Sequence, residues 1–230
     1  MDDNMMNFQL NGRTALVTGS TRGIGLAIAD MLEQYGARVI RHNSRVADLA
    51  SSMETARLLD EAGPVDILVL NASVQHYRTV EDFNEDELAA QVNVNLRSGF
   101  QLIQGVLPGM RARRWGRVLS IGSVNQWKQS PRLAVYAATK SALSNLMQNC
   151  ARTYAADGIT FNTLAPGVIA TDRNRNALAD AATVETLLQR IPAGRFGTPE
   201  DCAGAALLLC SDAGAYITGT DIPVAGGMQL

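Results

Sequence analysis

A tyrosine and a lysine four residues apart, Tyr136 and Lys140 in the segment VYAATKSAL, form a pair that can do proton chemistry. Residues spaced by four lie on the same face of an α-helix. A phenol has a pKa of about 10 in isolation, and a nearby ammonium group stabilises the phenolate and lowers that pKa. Tyr136 is therefore a candidate to give a proton to a carbonyl oxygen or to take one from an alcohol.

A serine lies thirteen residues before this tyrosine. Ser123 ends the apolar segment GRVLSIGS, which is predicted to form a buried strand. Ligands of an open parallel sheet bind in the crevice at the carboxyl ends of its strands. A hydroxyl at that place can hydrogen-bond a substrate oxygen and stabilise charge that develops on it.

The elements that must position these side chains alternate along the chain. The segments with strand character are RTALVTG (13–19), ARVIR (37–41), VDILVLNAS (65–73), GRVLSIGS (116–123), GITFNTLAP (158–166) and DIPVAGG (221–227). Nearly continuous apolar strands separated by helix-length segments are typical of a parallel sheet covered on both faces. We therefore predict one α/β domain over residues 1–230, with a doubly wound parallel sheet.

A glycine-rich turn, TGSTRGIG (18–25), joins the first strand to the first helix. Glycine permits positive φ and a close approach of the backbone to a pyrophosphate, and the helix N-terminus offers free N–H groups. Because the turn follows the first strand, it favours a dinucleotide-binding turn in a Rossmann-type fold. The alternative is a tight turn that binds no ligand.

The end of the second strand, in VIRHNSR (39–45), indicates which dinucleotide is bound. An acid at this point would hold the ribose diol of NAD, and no acid is present. Arg22 and Arg45 are candidates to bind a 2′-phosphate, and Ser44 can add a hydrogen bond. The two residues that end the strand, Arg41 and His42, alternate faces, so at most one is expected to contribute. NADP(H) is therefore preferred, and NAD(H) remains open.

The interval between the second strand and the next is short. Only 22 residues separate Asn43 from Asp66, whereas two crossovers with a strand between them need more than about 30. The sequence SSME (51–54) resembles a capping box that opens a helix to about Asp60. We predict that one helix, and with it the edge strand beside it, is lost or reduced to a turn at 47–49.

Several ordered motifs together resemble the short-chain dehydrogenase/reductase family, from about Arg13 to Gly227. They are TGSTRGIG, LNAS (70–73), VNL (94–96), IGS (121–123), YAATK (136–140) and PGVIAT (166–171). The resemblance implies that Tyr136 is the acid/base and that Lys140 lowers its pKa while holding the nicotinamide ribose. It also implies that Ser123 orients the carbonyl and that Asn95 supports a water relay to Lys140.

The same resemblance supplies a set of cofactor-binding residues. The set comprises Gly19, Thr21, Arg22, Gly23, Ile24, Gly25, Asn43, Ser44, Arg45, Asp48, Asn71, Ala72, Tyr136, Lys140, Pro166, Gly167, Val168, Ile169 and Thr171. Asn71 and Ala72 are expected to meet the nucleotide through their backbone, and 166–171 to cover the nicotinamide. Departures from the family pattern are Leu70, Ser73 and Ala225.

The resemblance implies an oxidoreductase that moves hydride between a nicotinamide and a carbonyl or secondary-alcohol substrate. NASVQHYRTVEDF and RIPAGRFGTPED are similar to members that act on sugar acids such as gluconate. A β-ketoacyl carrier-protein reductase is one alternative, with Arg111, Arg113 and Arg114 as its docking surface, and a non-catalytic dinucleotide-binding sensor is another. Segment 172–195 resembles a flap over the substrate. Candidates to line the pocket are His76, Gln126, Trp127 and Arg173.

The composition excludes other classes of function. A net charge of -2 with 18% charged residues gives no indication of nucleic-acid binding. The acidic start MDDNMMNFQL is not a signal peptide, and no run of apolar residues is long enough to span a membrane. Three cysteines favour a reducing compartment, the cytoplasm, and two histidines without metal-ligand spacing argue against a metal site.

The cluster RARRWGR (111–117) is read as a solvated helix end followed by a strand. The family resemblance further implies a homo-oligomer, dimer or tetramer, formed through the helices that carry Asn95 and Tyr136.

Overall fold

A computed structural model describes residues 7–230, apart from the side chains of residues 176 and 177. Residues 1–6, the first part of the predicted domain, lie outside the described residues. The sheet has six parallel strands in the order β2-β1-β3-β4-β5-β6. They are β1 (Thr14–Val17), β2 (Arg38–Arg41), β3 (Ile67–Leu70), β4 (Gly116–Ile121), β5 (Ile159–Pro166) and β6 (Asp221–Val224). The predicted parallel α/β sheet of Rossmann type is confirmed.

Helices cover both faces of this sheet. They are α1 (Gly23–Gln34), α2 (Ser52–Ala62), α3 (Glu85–Val92), α4 (Ser98–Arg113), α5 (Ala134–Tyr154), α6 (Arg175–Ala179), α7 (Ala181–Leu188) and α8 (Pro199–Cys210). Helices α2, α4 and α5 contribute to one apolar cluster, and α1 and α8 contribute to another. A π-helical segment, Asn93–Arg97, joins α3 to α4.

The position of the strands between two layers of helices explains why their sequences are apolar at nearly every position. Side chains of a strand alternate between the two faces of a sheet. In β3, Leu68 packs into the cluster with α4 and α5, while Ile67 and Val69 pack into the cluster with α1 and α8. Because both faces are covered, every residue of β3, β4 and β5 is buried.

The predicted shortening after the second strand is confirmed. From the end of β2 the chain runs through turns to Ser51, and a single helix, α2, leads to β3. β2 is therefore at the edge of the sheet. Ala47 and Leu49 are buried in the core against Leu58 of α2, so the turn itself closes this side of the core.

The predicted cap of α2 is present in a modified form. The Ser51 hydroxyl accepts a hydrogen bond from the Glu54 N–H at 3.3 Å. The Glu54 carboxylate accepts from the Asp48 N–H at 2.7 Å. It therefore holds the preceding turn instead of returning to the Ser51 N–H as in a complete capping box.

The cluster RARRWGR is a helix end followed by a strand, as predicted. Helix α4 ends at Arg113, Arg114 adopts the left-handed conformation with φ 52°, and β4 begins at Gly116. Within residues 7–230, no helix is long and apolar enough to cross a membrane.

Candidate active site

Three of the four predicted catalytic residues meet at the carboxyl end of β4. Tyr136 and Lys140 lie on the face of α5 that packs against this end of the sheet, and Ser123 follows β4 directly. The Lys140 ammonium donates to the Ile121 carbonyl at 2.7 Å and lies 5.7 Å from the centroid of the Tyr136 ring. The Ser123 hydroxyl accepts from the Asn125 N–H at 3.2 Å and lowers the pKa of Tyr136. All three side chains are buried.

The fourth residue, Asn95, lies in the π-helical segment between α3 and α4. Its amide nitrogen donates to the Val74 carbonyl at 2.9 Å and to the Thr139 hydroxyl at 3.2 Å, and its oxygen accepts from the Val74 N–H at 2.9 Å. Asn95 therefore fixes the loop after β3 against α5, one residue before Lys140. A water relay from Asn95 to Lys140 stays a prediction.

Burial determines the protonation of the tyrosine and the lysine. Burial lowers the pKa of Lys140 to about 7, and the positive charge of Arg173 lowers it as well. Burial raises the pKa of Tyr136, while the charge of Arg173 and the hydrogen bond with Ser123 lower it. Arg173 is therefore a second cation that acts on Tyr136, one that the sequence did not indicate. That Lys140 lowers the pKa of Tyr136 stays a prediction. A protonated Tyr136 is the form that gives a proton to a carbonyl.

The glycine turn has the geometry that a pyrophosphate requires. Gly19 and Gly23 have positive φ, at 63° and 56°. A Cβ on Gly25 would lie 2.3 Å from the Asn71 amide nitrogen and 2.4 Å from the Gly19 carbonyl oxygen. Arg22 caps α1 without a side-chain hydrogen bond, so its side chain does not occupy the N–H groups of the first turn. The turn therefore fits a dinucleotide phosphate.

A threonine that the sequence did not single out holds the strand ends beneath this turn. The buried Thr18 hydroxyl donates to the Val69 carbonyl at 3.1 Å and accepts from the N–H groups of Asn71 and Ala72 at 2.9 and 3.0 Å. Both of these N–H groups are thus engaged. The predicted backbone contact of Asn71 and Ala72 with a nucleotide is therefore restricted to their carbonyl groups.

His42 is the second residue that sequence reasoning missed as a structural part of the turn. Its ring is buried, Nδ1 accepts from the Gly19 N–H at 3.3 Å, and Nε2 lies 2.9 Å from the Ala47 carbonyl. Burial lowers the pKa of His42, although the hydrogen bond to Ala47 raises it. The neutral imidazole can accept at Nδ1 and donate at Nε2. It therefore links the glycine turn to the shortened segment.

Neither residue at the end of β2 is available to a phosphate. His42 points inward, and the Arg41 guanidinium pairs with Asp30 at 2.7 Å and Glu33 at 2.8 Å on α1. Arg22 and Arg45 are exposed, and neither guanidinium forms an ion pair within the described part of the chain.

The turn after β2 presents backbone and side-chain groups next to Arg45. The Asn43 side-chain oxygen accepts from the Arg45 N–H at 2.8 Å, and the Asp48 carboxylate accepts from the Ala50 N–H at 2.9 Å. Ser44 is exposed. Asn43 and Asp48 thus shape the turn through local hydrogen bonds.

The loop after β5 closes on the glycine turn. A Cβ on Gly23 would lie 3.2 Å from the Thr171 methyl group, and one on Gly167 would lie 2.9 Å from Ala225. Val168 accepts from the Gly197 N–H at 3.0 Å, which ties the loop to the segment before α8. Pro166 and Ile169 are buried. Of the predicted cofactor residues 166–171, Thr171 therefore lies beside the glycine turn. That this loop covers the nicotinamide stays a prediction.

Arg173 reaches from this loop across to the loop after β3. Its two terminal nitrogens donate to the Ser73 hydroxyl at 2.9 Å and to the Ser73 carbonyl at 2.8 Å. The positive charge of Arg173 also lowers the pKa of Tyr136. Ser73, a departure from the family pattern, thus supplies the hydroxyl that holds this guanidinium at the mouth of the cleft.

The other predicted pocket residues take different places. The Gln126 side chain accepts from the Ser123 N–H at 3.3 Å and donates to Asp221 at 3.0 Å, so it supports Ser123 from behind. His76 lies 3.5 Å from the Glu87 carboxylate. Trp127 is exposed.

The predicted docking arginines lie away from the cleft, which corrects that expectation. Arg111 pairs with Asp157 at 2.8 Å, Arg113 pairs with Asp66 at 2.9 Å, and Arg114 donates to the Ala156 carbonyl at 2.8 Å. This cluster precedes β4, whereas Ser123 follows it, so the two lie at opposite edges of a parallel sheet. Arg111 and Arg113 are thus held in ion pairs, and Arg114 is held by a backbone carbonyl.

The described residues contain no group of three or more His, Cys, Asp or Glu side chains that could hold a metal ion.

Comparisons with known proteins connect this geometry to a family. A family model described as enoyl-(acyl carrier protein) reductase matches residues 46–229. The 3-oxoacyl-[acyl-carrier-protein] reductase FabG of Vibrio cholerae is 37% identical over 243 residues, covering 96% of this chain and 99% of that protein. Gluconate 5-dehydrogenase of Gluconobacter oxydans is 32% identical over 248 residues, covering 97% of each. A crystal structure of a gluconate 5-dehydrogenase from Burkholderia cenocepacia in complex with NADP and tartrate is 35% identical, with a TM-score of 0.90 and 97% of each chain covered.

Proposed function

This chain belongs to the short-chain dehydrogenase/reductase family, and from that premise we propose that it is an NADP(H)-dependent oxidoreductase that interconverts a carbonyl and a secondary alcohol on a sugar acid. The observation that carries the proposal is the meeting of Ser123, Tyr136 and Lys140 at the sheet edge beside the glycine turn. An intact set of proton-transfer groups next to a dinucleotide turn favours an enzyme over a non-catalytic sensor.

The cofactor site is argued from residues of this chain. The N–H groups at the start of α1 would hold the pyrophosphate, and Arg22 and Arg45 would hold the 2′-phosphate through charge-assisted hydrogen bonds. When bound, a nicotinamide supplies or accepts the hydride. NADP in the related gluconate 5-dehydrogenase structure supports this choice of cofactor.

The proton chemistry follows from the three buried side chains. In the reduction, Tyr136 donates its proton to the carbonyl oxygen, and the Ser123 hydroxyl hydrogen-bonds the same oxygen. Lys140 in its charged form stabilises the phenolate that remains. In the oxidation, the Tyr136 phenolate takes the proton from the alcohol.

The sugar-acid substrate is supported by the gluconate 5-dehydrogenases among the relatives, and one of them was crystallised with the dicarboxylate tartrate. A 3-oxoacyl carrier-protein reductase is a second candidate, because the relative from Vibrio cholerae has that activity in its name and 37% identity. The arginines proposed to dock a carrier protein lie at the opposite edge of the sheet, which weighs against this second candidate.

Replacement of Tyr136 by phenylalanine tests the proposal. The Tyr136→Phe variant loses the proton donor but keeps the ring, so we expect NADPH-dependent reduction to fall by about 100-fold or more while NADPH binding persists. Steady-state kinetics and NADPH titration by fluorescence measure the two effects.

Tyr154→Phe is the matched control, because Tyr154 ends the same helix and packs on Phe161, remote from the cleft. We expect it to keep full activity. A wild-type protein that binds NADPH but reduces none of a broad series of carbonyl compounds would support the sensor instead.

We further propose a homo-oligomer, dimer or tetramer, and a reducing compartment, the cytoplasm. Leu88 and Val92 on α3 and Phe100 on α4, together called the apolar stripe, are exposed, which supports the first proposal. Free Cys150, Cys202 and Cys210 support the second.

A further inference from the structure

We infer that Arg173 binds an anionic group of the substrate and that this group lies one or two carbons from the reacting carbon. The inference rests on the proposed function and narrows the substrate to hydroxy or oxo acids with that spacing. Arg173 would then be a specificity-determining residue of the same cleft.

The Arg173 guanidinium lies where a substrate would enter the cleft. Arg173 follows the loop that covers the glycine turn, and its terminal nitrogens donate to the hydroxyl and the carbonyl of Ser73. β4, whose carboxyl end leads directly to Ser123, lies between β3 and β5 in the sheet. The guanidinium therefore lies between the loops after β3 and β5, at the entrance through which a substrate reaches the proton donor.

The hydrogen-bond capacity of Arg173 is not exhausted by these contacts. A guanidinium has five N–H donors and no acceptor. Two of these donors meet Ser73, so three remain for a ligand. A planar pair of donors is suited to a carboxylate or phosphate group.

The charge of Arg173 lacks a carboxylate partner within residues 7–230, whereas neighbouring cations have one. Arg175 pairs with Asp172, and Arg78 pairs with Glu87 at 3.0 Å. Buried Lys140 adds a second positive group to the cleft, and its interaction with Arg173 is repulsive. An anion between them relieves this repulsion, so the cleft favours a negatively charged substrate.

The place of Arg173 across the end of β4 limits where the substrate's charge can lie. Ser123 and Arg173 each hold a partner at about 3 Å, so the carbonyl oxygen at Ser123 and an anion held by Arg173 are close together. A carboxylate on the adjacent carbon or on the next carbon meets this condition. A carboxylate at the far end of a sugar acid that reacts at its penultimate carbon does not meet it.

Matched acids and esters test the inference. Short hydroxylated 2-oxo and 3-oxo acids and their methyl esters are compared as substrates with NADPH, using the wild type and the variants Arg173→Gln and Arg173→Lys. Arg175→Gln is the control, since it removes a nearby exposed guanidinium that pairs with Asp172. NADPH dissociation constants are measured for each protein.

We expect the wild type to prefer the acid over its ester by about 10- to 100-fold in kcat/KM, as a charge-assisted hydrogen-bonded pair warrants. Arg173→Gln should bring this ratio close to one, Arg173→Lys should retain part of it, and Arg175→Gln should retain all of it. A 5-oxo sugar acid should be a poorer substrate of the wild type than a 2-oxo or 3-oxo acid.

An unchanged acid-to-ester ratio in Arg173→Gln would overturn the inference, and so would a wild-type ratio close to one. Equal losses on acid and ester together with weaker NADPH binding would also overturn it, because Arg173 would then be a cofactor contact. Failure of the proposed function has a different result, in which the wild type binds NADPH but reduces neither acids nor esters.

Discussion

Lys140 shows at the residue scale that the surroundings of a side chain decide its chemistry. A lysine in water is charged at neutral pH. Here burial and the nearby Arg173 lower the pKa of Lys140 to about 7. The charge that stabilises the tyrosine phenolate is therefore present below about pH 7 and is lost as the pH rises through this value.

This titration gives a prediction for the reduction reaction. The value of kcat/KM reports the ionisation of the free enzyme. We expect kcat/KM for reduction to fall as the pH rises through about 7, because Lys140 loses the proton that makes it a cation. A profile of kcat/KM against pH measures this fall, which forms the alkaline limb of the profile.

Arginine in the Lys140→Arg variant keeps its charge at all accessible pH values. If this variant is active, its kcat/KM should fall at a higher pH than that of the wild type. A wild-type profile that is flat from pH 6 to 9 would contradict the assignment.

Arg22 and Arg45 carry a second residue-scale prediction. Both are exposed and without ion pairs among the described side chains, in contrast to Arg41, which α1 neutralises. We expect Arg22→Gln and Arg45→Gln each to weaken NADPH binding by about tenfold, the value of one charge-assisted hydrogen bond, with little effect on NADH.

Parallel titrations with NADPH and NADH measure the difference. Arg38→Gln is the control, because Arg38 lies at the opposite end of β2 and contacts Thr14. NADH binding as tight as NADPH binding in the wild type would rule out a 2′-phosphate site at these residues.

At the scale of elements, the first strand and helix can meet only because particular glycines have no side chain. A Cβ on Gly25 would lie within 2.4 Å of the Gly19 carbonyl oxygen, which is backbone and cannot move aside freely. We expect Gly25→Ala to lower the free energy of unfolding by about 2 kcal/mol and to weaken NADPH binding. Chemical denaturation and NADPH titration measure the two effects.

Gly204 provides the opposite case within α8. No atom lies within 4 Å of the place where its Cβ would be. Gly204→Ala should therefore stabilise the protein by about 0.5–1 kcal/mol, since alanine favours a helix. Equal effects of the two substitutions would show that the contact at Gly25 is unimportant.

At the scale of the whole molecule, the exposed apolar side chains of α3 and α4 bear on whether subunits associate. Leu88 and Val92 are four residues apart on α3, and Phe100 lies on α4 after the π-helical segment. Their exposed fractions are 38%, 37% and 51%. If this stripe joins subunits, a charge at its centre disfavours association. We expect Phe100→Asp to form a smaller species than the wild type in sedimentation velocity.

Tyr216→Asp is the control for association, because Tyr216 is fully exposed and lies outside the stripe. It should sediment as the wild type does. A wild type that is monomeric at every concentration would contradict the proposed oligomer.

Local patterns in the sequence were sufficient for the parallel sheet, the glycine turn and the cap at Ser51. They were also sufficient to identify the shortened segment after β2, because 22 residues cannot contain two crossovers. These features depend on periodicity, turn chemistry and segment length, which are properties of neighbouring residues. The residue types and the spacing of Ser123, Tyr136 and Lys140 can likewise be read from the sequence alone.

Only the tertiary structure decided which distant groups meet. Arg173 and Ser73 are 100 positions apart, and their contact follows from the placement of the β3 and β5 loops at one sheet edge. Burial among segments remote in sequence likewise decides three other features. They are the inward orientation of His42, the hydrogen bonds of Thr18 and the lowered pKa of Lys140. Arg111, Arg113 and Arg114 show the limit of the sequence. It revealed their positive charge, but not that they lie at the edge of the sheet opposite the cleft. Residue types are local, whereas burial and charge neighbours are set by the packing of the whole chain.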